Sequence, residues 1–217
     1  MGSLFKSKRS IKTIFFDIGG VVVKAPMDNF LKYGSEIYEC EPRILEHVTA
    51  QILPELERGR IDSDQFWEAV TQALVREGRG KDVPTWRFKG FWEGILSDSL
   101  ELDRGLIDLV RRLKAHVRVA ALTNVIEEHA KVMARQNVYE HFNPVVLSCK
   151  LGERKPDLEA YKKAAEMVKT APDRCMLVDD CPKNLEGAEK AGYRIHHFVG
   201  LDELKREMYN LGFVDHA

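Results

Sequence analysis

The stretch Lys12-Thr-Ile-Phe-Phe-Asp17-Ile-Gly-Gly-Val-Val-Val23 decides the fold. An unbroken apolar run ends on one acid, two glycines follow, and a second apolar run begins. Apolar residues on both sides describe a strand buried on both faces, as in a parallel sheet. Open α/β sheets bind ligands outside the carboxyl ends of their strands, which is where Asp17 would stand. Gly19 and Gly20 let the backbone turn sharply and let a ligand come close. Taken alone, the segment reads as a surface Asp opening a turn. The rest of the chain has to decide.

Outward from this stretch, the chain alternates between strand and helix patterns. Residues 11–17 form the first strand. From about residue 26 to residue 99 the periodicity is helical. Ile44, Leu45, Val48, Ile52 and Leu53 recur at helical spacing. A turn over residues 56–62 follows, and Asp62 or Ser63 caps the helix carrying Phe66, Trp67, Val70 and Leu74. Trp86, Phe88, Phe91, Trp92 and Ile95 supply a further apolar face. Beyond residue 103, Leu106 to Leu113 is helical and Val117-Arg-Val-Ala-Ala-Leu122 is a strand ending at Thr123-Asn124. A short strand at Val145-Val-Leu147 precedes a helix that Pro156 opens at its first position. Cys175-Met-Leu-Val178 is a strand ending at Asp179-Asp180, and a last strand carries His196 and His197. This alternation implies a parallel sheet with right-handed crossovers, an α/β fold. Asp17, Thr123 and Asp179-Asp180 then converge on one sheet edge, and convergence makes a site where one acid does not.

Composition narrows the partners. At 217 residues, 44% hydrophobic and 31% charged, the chain is of ordinary globular type. Its net charge of −1 offers no basic field for nucleic acid or an anionic membrane. No apolar run approaches the roughly 20 residues of a bilayer span. Cys40, Cys149, Cys175 and Cys181 lack C-x-x-C spacing and read as reduced thiols of a cytoplasmic protein. Residues 1–10 lack a signal-peptide core, and Lys6 occupies the position where a myristoylation signal wants Ser or Thr. They read as a short basic tail.

The motifs resemble those of the haloacid dehalogenase superfamily, in order and over nearly the whole chain. They are Phe16-Asp-Ile-Gly-Gly-Val-Val, Leu122-Thr-Asn, Gly152-Glu-Arg-Lys-Pro-Asp157 and Val178-Asp-Asp-Cys-Pro-Lys-Asn184. The D-x-G form of the first motif and the Leu56-Glu-Arg-Gly-Arg-Ile segment look most like its sugar-1-phosphate phosphatase and epoxide-hydrolase-N-terminal-like branch. The resemblance implies a Rossmann-like three-layer core over residues 1–24 and 100–217, with an inserted helical cap over residues 25–99. It implies a Mg²⁺-dependent phosphohydrolase acting on a small phosphorylated metabolite. Asp17 would be the nucleophile, splitting hydrolysis into formation and breakdown of an aspartyl-phosphate. Asp17, the backbone carbonyl of Gly19 and Asp180 would hold Mg²⁺, with Asp179 direct or through water. Thr123, Asn124 and Gly20 would bind the phosphoryl group, and Lys155 would neutralise its charge. Asn184 is expected to orient the metal-side acids or Lys155.

Other residues read as structural. Lys150 is taken as a solvated loop charge, Cys181 as packing and His129 as a helix-surface residue. His196 and His197, far in sequence from any motif, are taken as structural residues. One departure stands out. Most phosphatases of this superfamily carry a second Asp two residues after the nucleophile, to protonate the leaving alcohol, and here that position is Gly19. A better leaving group, a proton from a cap residue (Glu57 or His47) or from water, or loss of activity would each accommodate it. Three readings therefore stay open: phosphohydrolase, silent binding protein, and metal-free dehalogenase. Oligomeric state is not legible.

Overall fold

The sheet is built around the quoted stretch, whose strand β1 (Thr13–Phe16) occupies its centre. The computed structural model describes residues 10–24, 28–97 and 100–215, so the basic tail lies outside them apart from Ser10. Beside β1 run β4 (Arg118–Thr123) and β6 (Cys175–Asp179), with β5 (Val145–Leu147) and β7 (Arg194–His197) outermost. All neighbours are parallel, in the order β5-β4-β1-β6-β7. Because β1 and β6 are buried along their whole length, their sequences show no polar alternation.

Successive β1 side chains feed opposite layers. Ile14 and Phe16 join one apolar cluster with α5 (Arg104–Leu113), α6 (Glu127–Arg135) and α10 (Leu201–Asn210). Phe15 joins the other with α8 (Leu158–Met167) and α9 (Pro182–Lys190). The result is an α/β three-layer core with one acid-bearing sheet edge.

A third apolar cluster belongs to the helices between β1 and α5: α1 (Asp28–Tyr38), α2 (Pro42–Glu57), α3 (Ser63–Arg76) and α4 (Phe91–Ser97). Its centre is aromatic. Trp67 stacks on Phe88 with ring centroids 3.9 Å apart, and Phe30 stacks on Trp92 at 4.9 Å. Asp62 caps α3 through a capping box with Gln65, as its sequence position predicts. Trp86 departs from the expected apolar face, being 70% exposed.

Three further details differ from the sequence reading. A two-stranded antiparallel pair joins β2 (Val23–Lys24) to β3 (Glu101–Leu102), in segments too short to show a period. A one-turn helix α7 (Ser148–Leu151) carries Lys150, which is on a helix rather than a loop and pairs with Glu127 at 3.3 Å. Pro156 does not open α8, because Asp157 takes the N-cap and the helix starts at Leu158. Among the described residues, no helix is long and apolar enough to cross a membrane.

Candidate active site

The carboxyl ends of β1, β4 and β6 bring Asp17, Thr123 and Asp179 to one edge, because the three strands are parallel and in register. Lys155 reaches them from the loop between α7 and α8. Its side chain is 0% exposed, and its Nζ lies 2.9 Å from Asp17 Oδ2 and 2.5 Å from Asp179 Oδ2. A lone buried ammonium would be costly, and the two carboxylates make it tolerable. Burial works to lower its pKa, but Asp17 and Asp179 outweigh that and hold it above the ordinary lysine value.

Asp179 is fully buried and held from several directions. Besides Lys155 it accepts from the Cys181 N–H at 2.9 Å and from Asn184 Nδ2 at 3.1 and 3.2 Å. Asn184 therefore holds the Asp179 carboxylate in place. Cys181 contributes its backbone, which the sequence reading, treating it as packing, did not foresee. Asp17 is 8% exposed and accepts from the Ile18 N–H at 2.7 Å. Burial pushes its carboxyl up to about 6, with Lys155 pulling it down and Asp179 pushing it further up. Asp180 is exposed, and its carboxyl is raised by partial burial and by Asp179.

The two glycines have different environments. Gly20 has φ +76°, donates its N–H to the Val23 carbonyl at 2.9 Å, and leaves space that Asp180 fills. A Cβ on Gly20 would lie 2.1 Å from Asp180 Oδ2. Gly19, by contrast, has no heavy atom within 4 Å of where a Cβ would stand. The position where an acid is missing is therefore open space.

Oxygens of Asp17, Asp179 and Asp180 lie within 4.8 Å of one another. Three carboxylates face one ammonium, so an excess of negative charge is gathered on hard oxygen donors. This donor set fits Mg²⁺, which favours carboxylate and water oxygens.

Some contacts were not foreseen. Asn124 grips the backbone of Lys155 in both directions: its Nδ2 donates to the Lys155 carbonyl and its Oδ1 accepts from the Lys155 N–H, each at 2.8 Å. The Asn124 side chain is thus fixing the lysine, and only its place next to Thr123 hinted at this. Thr123 is 2% exposed, and its hydroxyl takes no partner among the described residues. His197, though far in sequence from the fourth motif, sits beside it in space, its Nε2 3.2 Å from the Asp180 carbonyl. His129 is not a surface residue. Its ring packs edge-on against Trp92 at 5.5 Å, with Nε2 buried and unpartnered. Burial drives its pKa down to about 4, against the pull of the Trp92 backbone and Glu128.

Residues 11–192 match the haloacid dehalogenase-like hydrolase family. The chain belongs to that family. Among curated relatives of this hydrolase, the chloroplast flavin mononucleotide hydrolase 1 of Arabidopsis thaliana is 26% identical, over 97% of this chain and 82% of its own length. A D-ribitol-5-phosphate phosphatase from Bacteroides thetaiotaomicron is 24% identical, over 84% of this chain and 89% of its own. A haloacid dehalogenase family enzyme from the same bacterium has been solved in complex with magnesium and inorganic phosphate. It matches the hydrolase with a TM-score of 0.67 at 20% identity, over 86% of this chain and 93% of that one. At that identity the likeness carries the fold.

Proposed function

We propose that this hydrolase is a Mg²⁺-dependent phosphatase of small phosphorylated metabolites, working through an aspartyl-phosphate on Asp17. The observation that carries the reading is the acid excess around Lys155: Asp17, Asp179 and Asp180 against a single buried ammonium. Attack on a carbon–halogen bond gives no reason to gather three acids. Phosphoryl transfer does, because a dianionic substrate must meet an anionic nucleophile and a cation has to offset both. A bound Mg²⁺ would supply that charge, held by Asp17, Asp180 and the Gly19 carbonyl, with Asp179 directly or through water.

In this reading Asp17 attacks phosphorus while Lys155 offsets charge on the nucleophile and the phosphoryl oxygens. The Thr123 hydroxyl binds one of those oxygens, and Asn124 keeps Lys155 in place. Gly20 serves by admitting Asp180. The helices between β1 and α5 act as a cap, and polar contacts join them to the core. Arg58 Nη2 lies 2.5 Å from Asp157 Oδ2, Arg154 Nε 2.6 Å from Glu57 Oε2, and Ser63 Oγ 2.6 Å from Glu128 Oε1. The phosphatase names and the magnesium and phosphate of the relatives support the same reading.

The test is a panel of phosphate monoesters, including flavin mononucleotide and ribitol 5-phosphate, assayed with Mg²⁺ and with EDTA. Mg²⁺-dependent phosphate release that disappears in Asp17→Asn is expected. No release from any ester, or release that survives Asp17→Asn, would overturn the proposal.

A further inference from the structure

We infer that Glu57 is the proton donor to the leaving alcohol, standing in for the acid absent at Gly19. The inference rests on the phosphatase reading above and extends it to a residue of the helical insertion.

Glu57 is the last residue of α2, and that helix end is held against the segment bearing Lys155. Gly59, at φ +67°, is packed so closely that a Cβ there would lie 2.2 Å from the Cys149 carbonyl oxygen. Arg58 reaches across to Asp157 at 2.5 Å. Just before these two anchors in the chain, Glu57 Oε2 accepts from Arg154 Nε at 2.6 Å. Arg154 is the residue before Lys155, whose Nζ is 2.9 Å from the proposed nucleophile. The side chain of Glu57 is mostly buried, and its Oε1 has no partner among the described residues.

The charged groups acting on Glu57 are Arg154 and Lys155 from the facing loop and Arg58 from its own helix end. Burial outweighs all three and holds its carboxyl above the usual glutamate value. Glu57 is thereby kept nearer to protonated than an open glutamate would be, which suits a general acid. An arriving phosphate dianion would push in the same direction.

The other candidates are committed elsewhere. His47 is exposed and its Nε2 meets Gln51 at 2.9 Å, Glu128 accepts from Ser63, and His129 is packed against Trp92. The open volume at Gly19 leaves room for a leaving group and a donor from the insertion to meet.

The chemistry balances. As Asp17 forms its bond to phosphorus, the bond from phosphorus to the leaving oxygen breaks, and the Glu57 proton passes to that oxygen. The Glu57 carboxylate then takes a proton from water as the water oxygen attacks phosphorus and the acyl–phosphate bond breaks. The products are an alcohol and phosphate, and Glu57 ends protonated as it began.

Phenyl phosphate and p-nitrophenyl phosphate test this, since they share a shape but differ in how much the leaving oxygen needs a proton. In Glu57→Gln, kcat/KM for phenyl phosphate should fall by about 10²- to 10⁴-fold, the usual worth of a general acid. For p-nitrophenyl phosphate it should change little, and thermal unfolding should confirm an intact fold. The alkaline fall of the wild-type phenyl phosphate profile should vanish in the variant. In Arg154→Ala, which removes the cation nearest Glu57, that fall should move to higher pH. Equal losses on both esters, or an alkaline fall that persists in Glu57→Gln or stays put in Arg154→Ala, would overturn the role of Glu57. If the wild type releases phosphate from no ester of the panel above, these two included, it is the phosphatase reading itself that fails.

Discussion

The carboxylate of Asp180 occupies the volume that any side chain on Gly20 would need, with Oδ2 2.1 Å from the place of a Cβ. The first and fourth motifs, far apart in the chain, are therefore fitted to each other at this point. Gly20→Ala should displace Asp180 and also strain a backbone at φ +76°, at a cost of about 1–3 kcal/mol. The expected result is a Mg²⁺ requirement raised well above the wild-type value, measured by titrating activity against the metal. An unaltered requirement in a folded variant would count against Asp180 as a ligand.

Lys155 is enclosed with two acids, so its removal should be felt in stability as well as activity. Lys155→Met leaves Asp17 and Asp179 close together without their shared cation. Breaking a buried pair in this way costs about 3–5 kcal/mol. Mg²⁺ should raise the melting temperature of the variant more than that of the wild type, because the metal replaces part of the lost charge. Calorimetry with and without Mg²⁺ decides this.

Gly19→Asp is expected to fold normally. Its backbone is not in the left-handed region and no atom lies within 4 Å of a Cβ there, so the new side chain meets no steric obstacle. In the Glu57→Gln background, the new acid should restore part of the lost turnover of phenyl phosphate. Initial rates of the single and double variants provide the comparison.

The packing of His129 against Trp92 sets an acid limit on stability. Its folded pKa of about 4 lies below the ordinary histidine value of 6.5, so the unfolded chain takes up a proton first. Stability present above pH 6.5 is therefore lost as pH falls toward 4, by up to about 3 kcal/mol. His129→Leu should flatten that decline. Melting temperatures from pH 7 to pH 4 for both proteins measure it, and equal slopes would remove His129 as the cause.

Much of this arrangement was legible because buried parallel strands leave continuous apolar runs. Val117 to Leu122 and Cys175 to Val178 end on polar residues, and those ends gave Thr123 and Asp179-Asp180 their places. Lys155 was legible from its motif. The contacts that hold these groups were not. Asn124 and Lys155 are 31 residues apart, Glu57 and Arg154 are 97 apart, and no local period encodes such pairs. His129 looked exposed because a helix pattern cannot say which neighbouring element will cover it. The segments β2 and β3 were invisible because two residues cannot display alternation.

That small β2–β3 pair has an evolutionary consequence. Val23 pairs with Leu102 and Lys24 with Glu101, so the chain leaves the sheet core and returns to it at adjacent points. Whatever lies between is a detour with its ends clasped together, and closing a longer or shorter detour changes the entropic cost only slowly with length. Insertions of other sizes could be exchanged at this clasp without disturbing the register of β1 against β4 and β6. New specificities could then arise by replacing the detour while the acid-bearing edge is inherited unchanged.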